Sequence, residues 1–105
     1  MVASGTFGYA REMQGLVKHE SLGAILPKTI TLHARPGNAP WRTVETSAGL
    51  LNSIGLDNDG VDAFVAGHLQ YLRTLKTAIV VSIAGKSQDE FIALAQRIEA
   101  AGGAD

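Results

Sequence analysis

The sequence has no cysteine among its 105 residues, and aromatic residues make up only 6% of it. The lack of cysteine excludes disulfide bridges, thiolate nucleophiles and cysteine-based metal centres within these residues. A formal net charge of −1 without a basic stripe argues against an electrostatic nucleic-acid binder. No apolar run approaches the roughly 20 residues of a membrane-spanning helix, and no secretory signal pattern is visible. We therefore expect a cytoplasmic protein with neither nucleic acid nor membrane as a partner.

Apolar residues, by contrast, are abundant for so short a chain. They make up 46% of it, and the mean hydropathy is +0.11. The length corresponds to one domain or a piece of one. Because a small domain buries a smaller fraction of its surface than a large one, this composition suggests that partner surface is missing. Strand edges left unpaired would also associate, so we expect a homo-oligomer.

Strands and helices are predicted to alternate along the chain. The predicted strands cover about 1–4, 23–31 and 78–84, and the predicted helices cover about 10–20, 60–75 and 88–101. The last helix has a capping box at Ser87 and Glu90 and ends at Gly102-Gly103, and residues 104–105 are expected to start another strand. This alternation predicts a parallel α/β architecture with right-handed crossovers. An open doubly wound sheet and an eight-stranded barrel both satisfy it.

Residues 32–59 contain no predicted regular element except a possible short strand at 44–46. A connection of this length in a compact domain is uncommon and usually functional. Within it, the loop 49–56 surrounds one amide, Asn52, and one hydroxyl, Ser53, with leucine and isoleucine. Its apolar positions follow neither a helical nor a strand period. We interpret it as a loop that covers a small planar ligand.

Polar residues fall where the predicted parallel strands end. They are Ser4-Gly5 in the first strand, Lys28-Thr29 in the second and Ser82 in the third. Because both candidate folds gather the carboxyl ends of their strands on one rim, these groups are expected to meet there, next to the loop. A lysine at a strand end can also simply reach into solvent. Together, however, a fixed cation and an amide suit a ligand with carbonyl and ring-nitrogen edges.

His68 lies on the apolar stripe of the predicted helix 60–75. No second residue of a type that binds metal is spaced with it. We therefore interpret His68 as a packing residue, and we predict no metal site.

Six short motifs, in the same order and at plausible spacings, resemble the class 1 dihydroorotate dehydrogenases, particularly the NAD-linked type. They are Ala3-Ser4-Gly5-Thr6-Phe7-Gly8, Pro27-Lys28-Thr29-Ile30-Thr31-Leu32, Arg35-Pro36-Gly37-Asn38, Glu45-Thr46, Leu51-Asn52-Ser53-Ile54-Gly55-Leu56 and Ile83-Ala84-Gly85. Each motif is weak alone, but the series spans the whole chain. The resemblance implies the N-terminal part of a flavin-binding (β/α)₈ barrel that oxidises dihydroorotate to orotate in pyrimidine synthesis.

The resemblance also implies roles for individual residues. In the family a base removes a proton from the dihydropyrimidine ring and a hydride passes to FMN. Ser4, Gly5 and the Lys28-Thr29 pair match flavin-contacting positions, where the lysine also reaches the substrate, and Ser82 stands at a further one. The residues that match the substrate-binding loop are Asn52, Ser53, Ile54, Gly55 and Leu56. In the NAD-linked type, a subunit with FAD and an iron-sulfur centre passes the electrons to NAD.

The sequence departs from the family at several points. Ser82 stands where the family usually has asparagine, and His33 and Trp41 replace residues expected to be acidic or prolyl and small. The family's catalytic base is a cysteine, so we expect no catalytic residue in this chain and a base beyond Asp105. A barrel takes roughly 250 residues, of which this chain would supply about three βα units, cut at both ends. We expect the chain alone to be inactive.

Two other functions are compatible with the same residues. One is a non-catalytic α/β module that folds or assembles without the rest of a barrel. The other is a related flavin barrel that acts on pyrimidines, such as the corresponding domain of dihydropyrimidine dehydrogenase. The motif from Asn52 to Leu56 favours dihydroorotate over this second alternative.

Overall fold

The computed structural model describes residues 1–103, so the strand predicted to start at 104–105 lies outside the described residues. At its centre, β1 (Ala24–Ile25) pairs in parallel with β4 (Ala78–Ile79). Isolated parallel bridges extend this pairing, between Val2 and Ile25 and between Ile30 and Ile83. Three segments of the chain therefore run in parallel, with helices elsewhere, and the predicted α/β class is confirmed.

The strands are much shorter than predicted. The strand at 1–4 is reduced to the bridge at Val2, 23–31 to β1 and the bridge at Ile30, and 78–84 to β4 and the bridge at Ile83. Pro27 supplies one physical reason, because it has no N–H to donate to a ladder. The next amide, that of Lys28, donates instead to the carbonyl of Gly8 at 2.9 Å. The second segment therefore leaves the ladder after Leu26, whose amide donates to the carbonyl of Val2 at 3.2 Å, and rejoins it at Ile30.

The prediction of a helix over 10–20 is wrong. Arg11–Met13 and His19–Ser21 each form only a short 3₁₀ turn. Gly15 has φ +83° and Ala10, which precedes the first turn, has φ +67°, and neither value fits a right-handed helix. The helix was predicted from an apolar stripe of Met13, Leu16 and Val17, which was a misleading signal because the backbone reversal at Gly15 divides it.

Two strands that pair in a hairpin occupy part of the segment predicted to be irregular. Thr43–Thr46 forms β2, as foreseen for 44–46, and it pairs antiparallel with β3, Gly49–Asn52. The first half of the predicted loop 49–56 is thus a strand, which corrects that prediction. All eight hairpin positions are exposed, so burial imposes no apolar–polar alternation that the sequence could display.

The predicted helix 60–75 is present but ends at Leu72 and contains a π turn. It consists of α1 (Gly60–Ala63), the π turn (Phe64–His68) and α2 (Leu69–Leu72). Phe64 and Leu69 are five positions apart, and both are fully buried. The extra residue in the π turn rotates Leu69 towards the core, where a regular α-helix would direct the residue before it.

The last helix, α3 (Gln88–Ala100), agrees with the prediction. The hydroxyl of Ser87 accepts a hydrogen bond from the amide of Glu90 at 3.3 Å, and the carboxylate of Glu90 accepts one from the amide of Lys86 at 2.6 Å. At the other end, the amides of Gly102 and Gly103 donate to the carbonyls of Glu99 and Ile98. With φ +97° at Gly102, this is a Schellman ending.

The apolar core lies between the parallel strands and the two long helical segments. Its largest fully buried side chains include Phe64, Ile25, Ile30, Leu69, Leu72 and Leu94. Within residues 1–103, no helix has the length and apolar character needed to cross a bilayer.

Candidate ligand-binding cleft

A cleft of about 590 Å³ opens where the parallel segments end, between the first two of them and the hairpin. This volume falls within the range of roughly 300–1,000 Å³ that is common for small-molecule sites. Its lining residues are Ser4, Gly5, Thr6, Lys28, Thr29, Thr43, Leu50, Asn52, Ile54 and Leu56. Seven of the residues singled out from the sequence thus lie around one cavity: Ser4, Gly5, Lys28, Thr29, Asn52, Ile54 and Leu56.

Three hydroxyl groups from three different segments form a hydrogen-bonded chain at the floor of the cleft. Ser4 Oγ donates to the carbonyl of Pro27 at 3.0 Å and lies 2.9 Å from Thr29 Oγ1, which lies 3.0 Å from Ser82 Oγ. A hydroxyl has one proton, so Thr29 must donate to Ser4, and Ser82 must donate to Thr29. All three protons are therefore used, and the chain can offer a ligand only its remaining lone pairs.

Ser82 takes part in the cleft only through this chain. It does not belong to the lining, and its hydroxyl contacts Thr29 rather than the cavity. A serine has a shorter reach than the asparagine usual in the family. Its contribution here is to fix the direction in which the hydroxyl of Thr29 points.

Lys28 provides the positive charge of the cleft. The residue is partly buried, and its backbone amide is fixed by the carbonyl of Gly8. Its ammonium group forms no ion pair with any residue in 1–103, where the ion pairs of lysine and arginine are Arg42–Asp57 and Arg97–Asp62. A partly desolvated cation without a protein counterion can interact strongly with a polar or anionic ligand.

The wall opposite the strands alternates residue by residue. Leu50, Asn52, Ile54 and Leu56 line the cleft, and Thr43, which pairs with Asn52 across the hairpin, lies on the same face. This is the two-residue period of an extended chain. The residues between them point elsewhere, so the hairpin and the segment after it present one side to the cavity.

Leu51, Val44 and Trp41 border the outer face of the hairpin. These side chains are 64%, 58% and 98% exposed, respectively. Of the three leucines in 49–56, which are expected to cover a ligand together, Leu50 and Leu56 therefore line the cleft and Leu51 does not.

Ser53 and Gly55 do not belong to the lining of the cleft. The side-chain amide of Asn38 donates to both the carbonyl and the hydroxyl of Ser53, each at 2.9 Å. Gly55, with φ +81°, packs so closely on Asn38 that an added Cβ would lie 2.8 Å from its side chain. In this structure, both residues are supported from behind by Asn38.

His68 packs against an aromatic ring, as expected. Its ring stacks on that of Tyr9 with a centroid distance of 3.7 Å, and its Nε2 lies 3.2 Å from Asp59 Oδ2. Burial, together with nearby carboxylates such as that of Asp59, raises the pKa of Tyr9 above its usual 10. Within residues 1–103, no three His, Cys, Asp or Glu side chains are grouped so as to hold a metal ion.

Two further residues of the lining, Thr6 and Thr43, were not singled out from the sequence. Thr6 follows Gly5 directly, so the end of the first strand could have indicated it. Thr43 could have been found only by recognising the hairpin, because its place in the cleft depends on its pairing with Asn52.

The family model described as dihydroorotate dehydrogenase matches residues 1–104. The chain therefore belongs to the dihydroorotate dehydrogenase family, and the resemblance drawn from its motifs is confirmed. It is 44% identical to the dihydroorotate dehydrogenase B (NAD(+)) catalytic subunit of Thermoanaerobacter sp. (strain X514) over 99 aligned residues. The aligned residues are 94% of this chain and 33% of that protein. The subunit of the same name from Geobacter sulfurreducens is also 44% identical, and the alignment covers 94% of this chain and 32% of that subunit. The chain thus spans about a third of the length of these relatives.

Proposed function

We propose that this chain contributes the first part of a (β/α)₈ barrel that oxidises dihydroorotate to orotate. The observation that carries the proposal is the single cleft that unites Lys28, Thr29 and Asn52 at the ends of parallel segments. In barrels of this kind, the reacting groups meet at that end of the strands.

The cleft has groups that suit the flavin ring of FMN. The hydroxyl chain through Thr29 offers lone pairs but no free proton, so it fits a ring edge that carries an N–H. The ammonium of Lys28 fits a carbonyl oxygen or ring nitrogen on that edge. Gly5 has open space where a side chain would stand, which leaves room for a planar ring. Bound FMN would supply the acceptor for the hydride.

Lys28 and Asn52 are proposed to orient the substrate. A cation next to the ring would stabilise negative charge that develops there as hydride arrives. The amide of Asn52 has two donors and an acceptor, which match the alternating carbonyl and N–H groups of a dihydropyrimidine. Leu50, Ile54 and Leu56 would exclude water from the ring.

The remaining parts of the reaction are proposed to come from outside these residues. The chain has no cysteine, so the proton-accepting base would belong to the other two-thirds of a protein of the relatives' length. The name of the relatives includes NAD(+) and describes them as catalytic subunits. This name supports a second subunit that passes the electrons to NAD. The FAD and iron-sulfur centre of that subunit, and a cytoplasmic location, belong to the proposal through the family resemblance alone.

The test is dihydroorotate oxidation by the full-length polypeptide that contains this chain, reconstituted with FMN. Lys28→Ala should lower kcat by about 10²–10³-fold, as expected for removal of one group that stabilises the transition state. Lys76→Ala, which alters an exposed lysine outside the cleft, is the matched control and should leave kcat unchanged. Wild-type turnover in the Lys28 variant, or a wild type that oxidises no dihydroorotate, would contradict the proposal.

A further inference from the structure

Behind the proposed substrate loop lies a residue to which the sequence comparison gives no role. Asn38 is exposed and does not line the cleft, yet three of its hydrogen bonds reach the segment from Ser53 to Ile54. We propose that Asn38 is a positioning residue that fixes the direction of Asn52 and Ile54 into the cleft. This inference rests on the proposed function, because that function is what assigns a ligand to the loop.

The contacts hold the loop by its backbone. The side-chain amide of Asn38 donates to the Ser53 carbonyl and to the Ser53 hydroxyl, each at 2.9 Å, and its backbone amide donates to the Ile54 carbonyl at 2.9 Å. The amide of Ser53 in turn donates to the carbonyl of Arg42 at 2.8 Å. Two consecutive peptide units of the loop are thus anchored on the side away from the ligand.

Anchoring these peptide units determines where the neighbouring side chains point. In an extended chain, successive side chains face opposite sides, so Asn52 and Ile54 face the cleft when Ser53 faces Asn38. A rotation of the Ser53 backbone would swing the Asn52 amide away from the ligand. A displacement of a ligand-binding side chain by as little as 1 Å can strongly reduce its contribution to binding or catalysis.

The close packing of glycines on this contact supports the same role. A Cβ on Gly55 would lie 2.8 Å from the Asn38 side chain and 2.9 Å from its amide nitrogen. A Cβ on Gly37 would lie 2.5 Å from the Ile54 carbonyl oxygen. Both glycines have positive φ, at +81° and +70°. The two segments therefore meet backbone to backbone, at a distance that leaves the loop little freedom.

Asn38 is not part of the apolar core, which distinguishes positioning from folding. It is exposed, and none of its side-chain hydrogen bonds reaches a core residue. Removing its side-chain amide should therefore loosen the loop while the protein remains folded. Asn38→Asp keeps the size of the side chain but removes the two donors and places a carboxylate against the Ser53 carbonyl.

The experiment compares Asn38→Ala and Asn38→Asp with the wild type in the full-length FMN-loaded protein. Orotate affinity is measured by titrating the flavin absorbance, and mobility by hydrogen exchange of a peptide spanning 49–56. Both variants should weaken orotate binding and raise KM for dihydroorotate by about tenfold, equivalent to about 1.4 kcal/mol. Exchange in 49–56 should accelerate, while kcat, bound FMN and the melting temperature stay near wild type. Gln70→Ala, which removes another exposed amide that donates to a backbone carbonyl, is the control and should match the wild type.

Several outcomes would overturn the inference. Unchanged exchange in 49–56, or unchanged orotate affinity in both variants, would show that the loop does not need Asn38. Loss of FMN and a lower melting temperature in both variants would assign Asn38 to folding instead. A wild type that binds no orotate would refute the proposed function, but the exchange measurement would still decide whether Asn38 restrains the loop.

Discussion

Asn58 is the buried polar residue whose loss should lower the free energy of unfolding most. It is 6% exposed, and it connects the end of the second parallel segment, the end of the cleft loop and the start of α1. Its Oδ1 accepts from the amides of Thr31 and Gly60 at 3.1 and 2.9 Å. Its Nδ2 donates to the Leu56 carbonyl at 2.7 Å and to the Thr31 hydroxyl at 2.9 Å. We predict that Asn58→Ala severely destabilises the protein.

The magnitude follows from the groups that would lose their partner. Without the side chain, the buried amides of Thr31 and Gly60 and the partly buried carbonyl of Leu56 are left with no hydrogen bond from Asn58. A buried unsatisfied group costs about 1–3 kcal/mol. Because some water can enter the vacated space, we take the lower half of that range for each group. The free energy of unfolding should fall by about 3–6 kcal/mol, out of a total that is typically about 5–15 kcal/mol.

Urea unfolding monitored by circular dichroism measures this change. The midpoint should fall, while the slope stays near wild type as expected for an altered stability with unaltered compactness. Gln96→Ala, on the exposed side of α3, is the control and should change the free energy of unfolding by less than about 0.5 kcal/mol. A loss below about 1 kcal/mol for Asn58→Ala would refute the reasoning, because water would then replace the amide at almost no cost.

Two other substitutions test the stability of single contacts. Ser87→Ala should lower the free energy of unfolding by about 0.5–1 kcal/mol in urea, because α3 loses its N-cap, whose bond of 3.3 Å is already long. No loss would show that Glu90 caps the helix alone. Tyr9→Phe tests the raised pKa of the phenol. The folded state holds that proton more tightly, so its contribution is complete below pH 10 and disappears as the pH rises through the folded-state pKa. Wild-type stability should therefore decline above pH 10, and the variant should lose this decline. Identical pH profiles in urea would contradict it.

The sequence was sufficient to predict structure that depends on neighbouring residues alone. Ser87 and Gly102 bounded α3 correctly because capping and the left-handed conformation depend on adjacent residues. It was misleading at 10–20, where Met13 and Val17 are partly buried but Leu16 is 78% exposed, so the stripe was not the face of a helix. The helix-breaking effect of Gly15 outweighed it.

For the cleft, the strand ends were the informative feature. Parallel strands must end on one side, so Ser4, Lys28 and Thr29 could be placed together without knowing a single distance. The hairpin could not be predicted in the same way. Its side chains are exposed, so they need no apolar–polar alternation, and the pairing of its two strands leaves no pattern in the sequence. The support that Asn38 gives to Ser53 is likewise a contact between residues 15 positions apart in the sequence.

The π turn at Phe64–His68 allows its helix to lose one residue without rearranging the core. Because it adds one residue to a turn, a chain that lacked one residue between Phe64 and Leu69 could close into a regular α-helix and still direct both side chains inwards. What such a chain would lose is the position of His68 against Tyr9, close to the start of the helix. A one-residue change in length would thus alter the packing at the surface near Asp59, while the hydrophobic core would keep its arrangement.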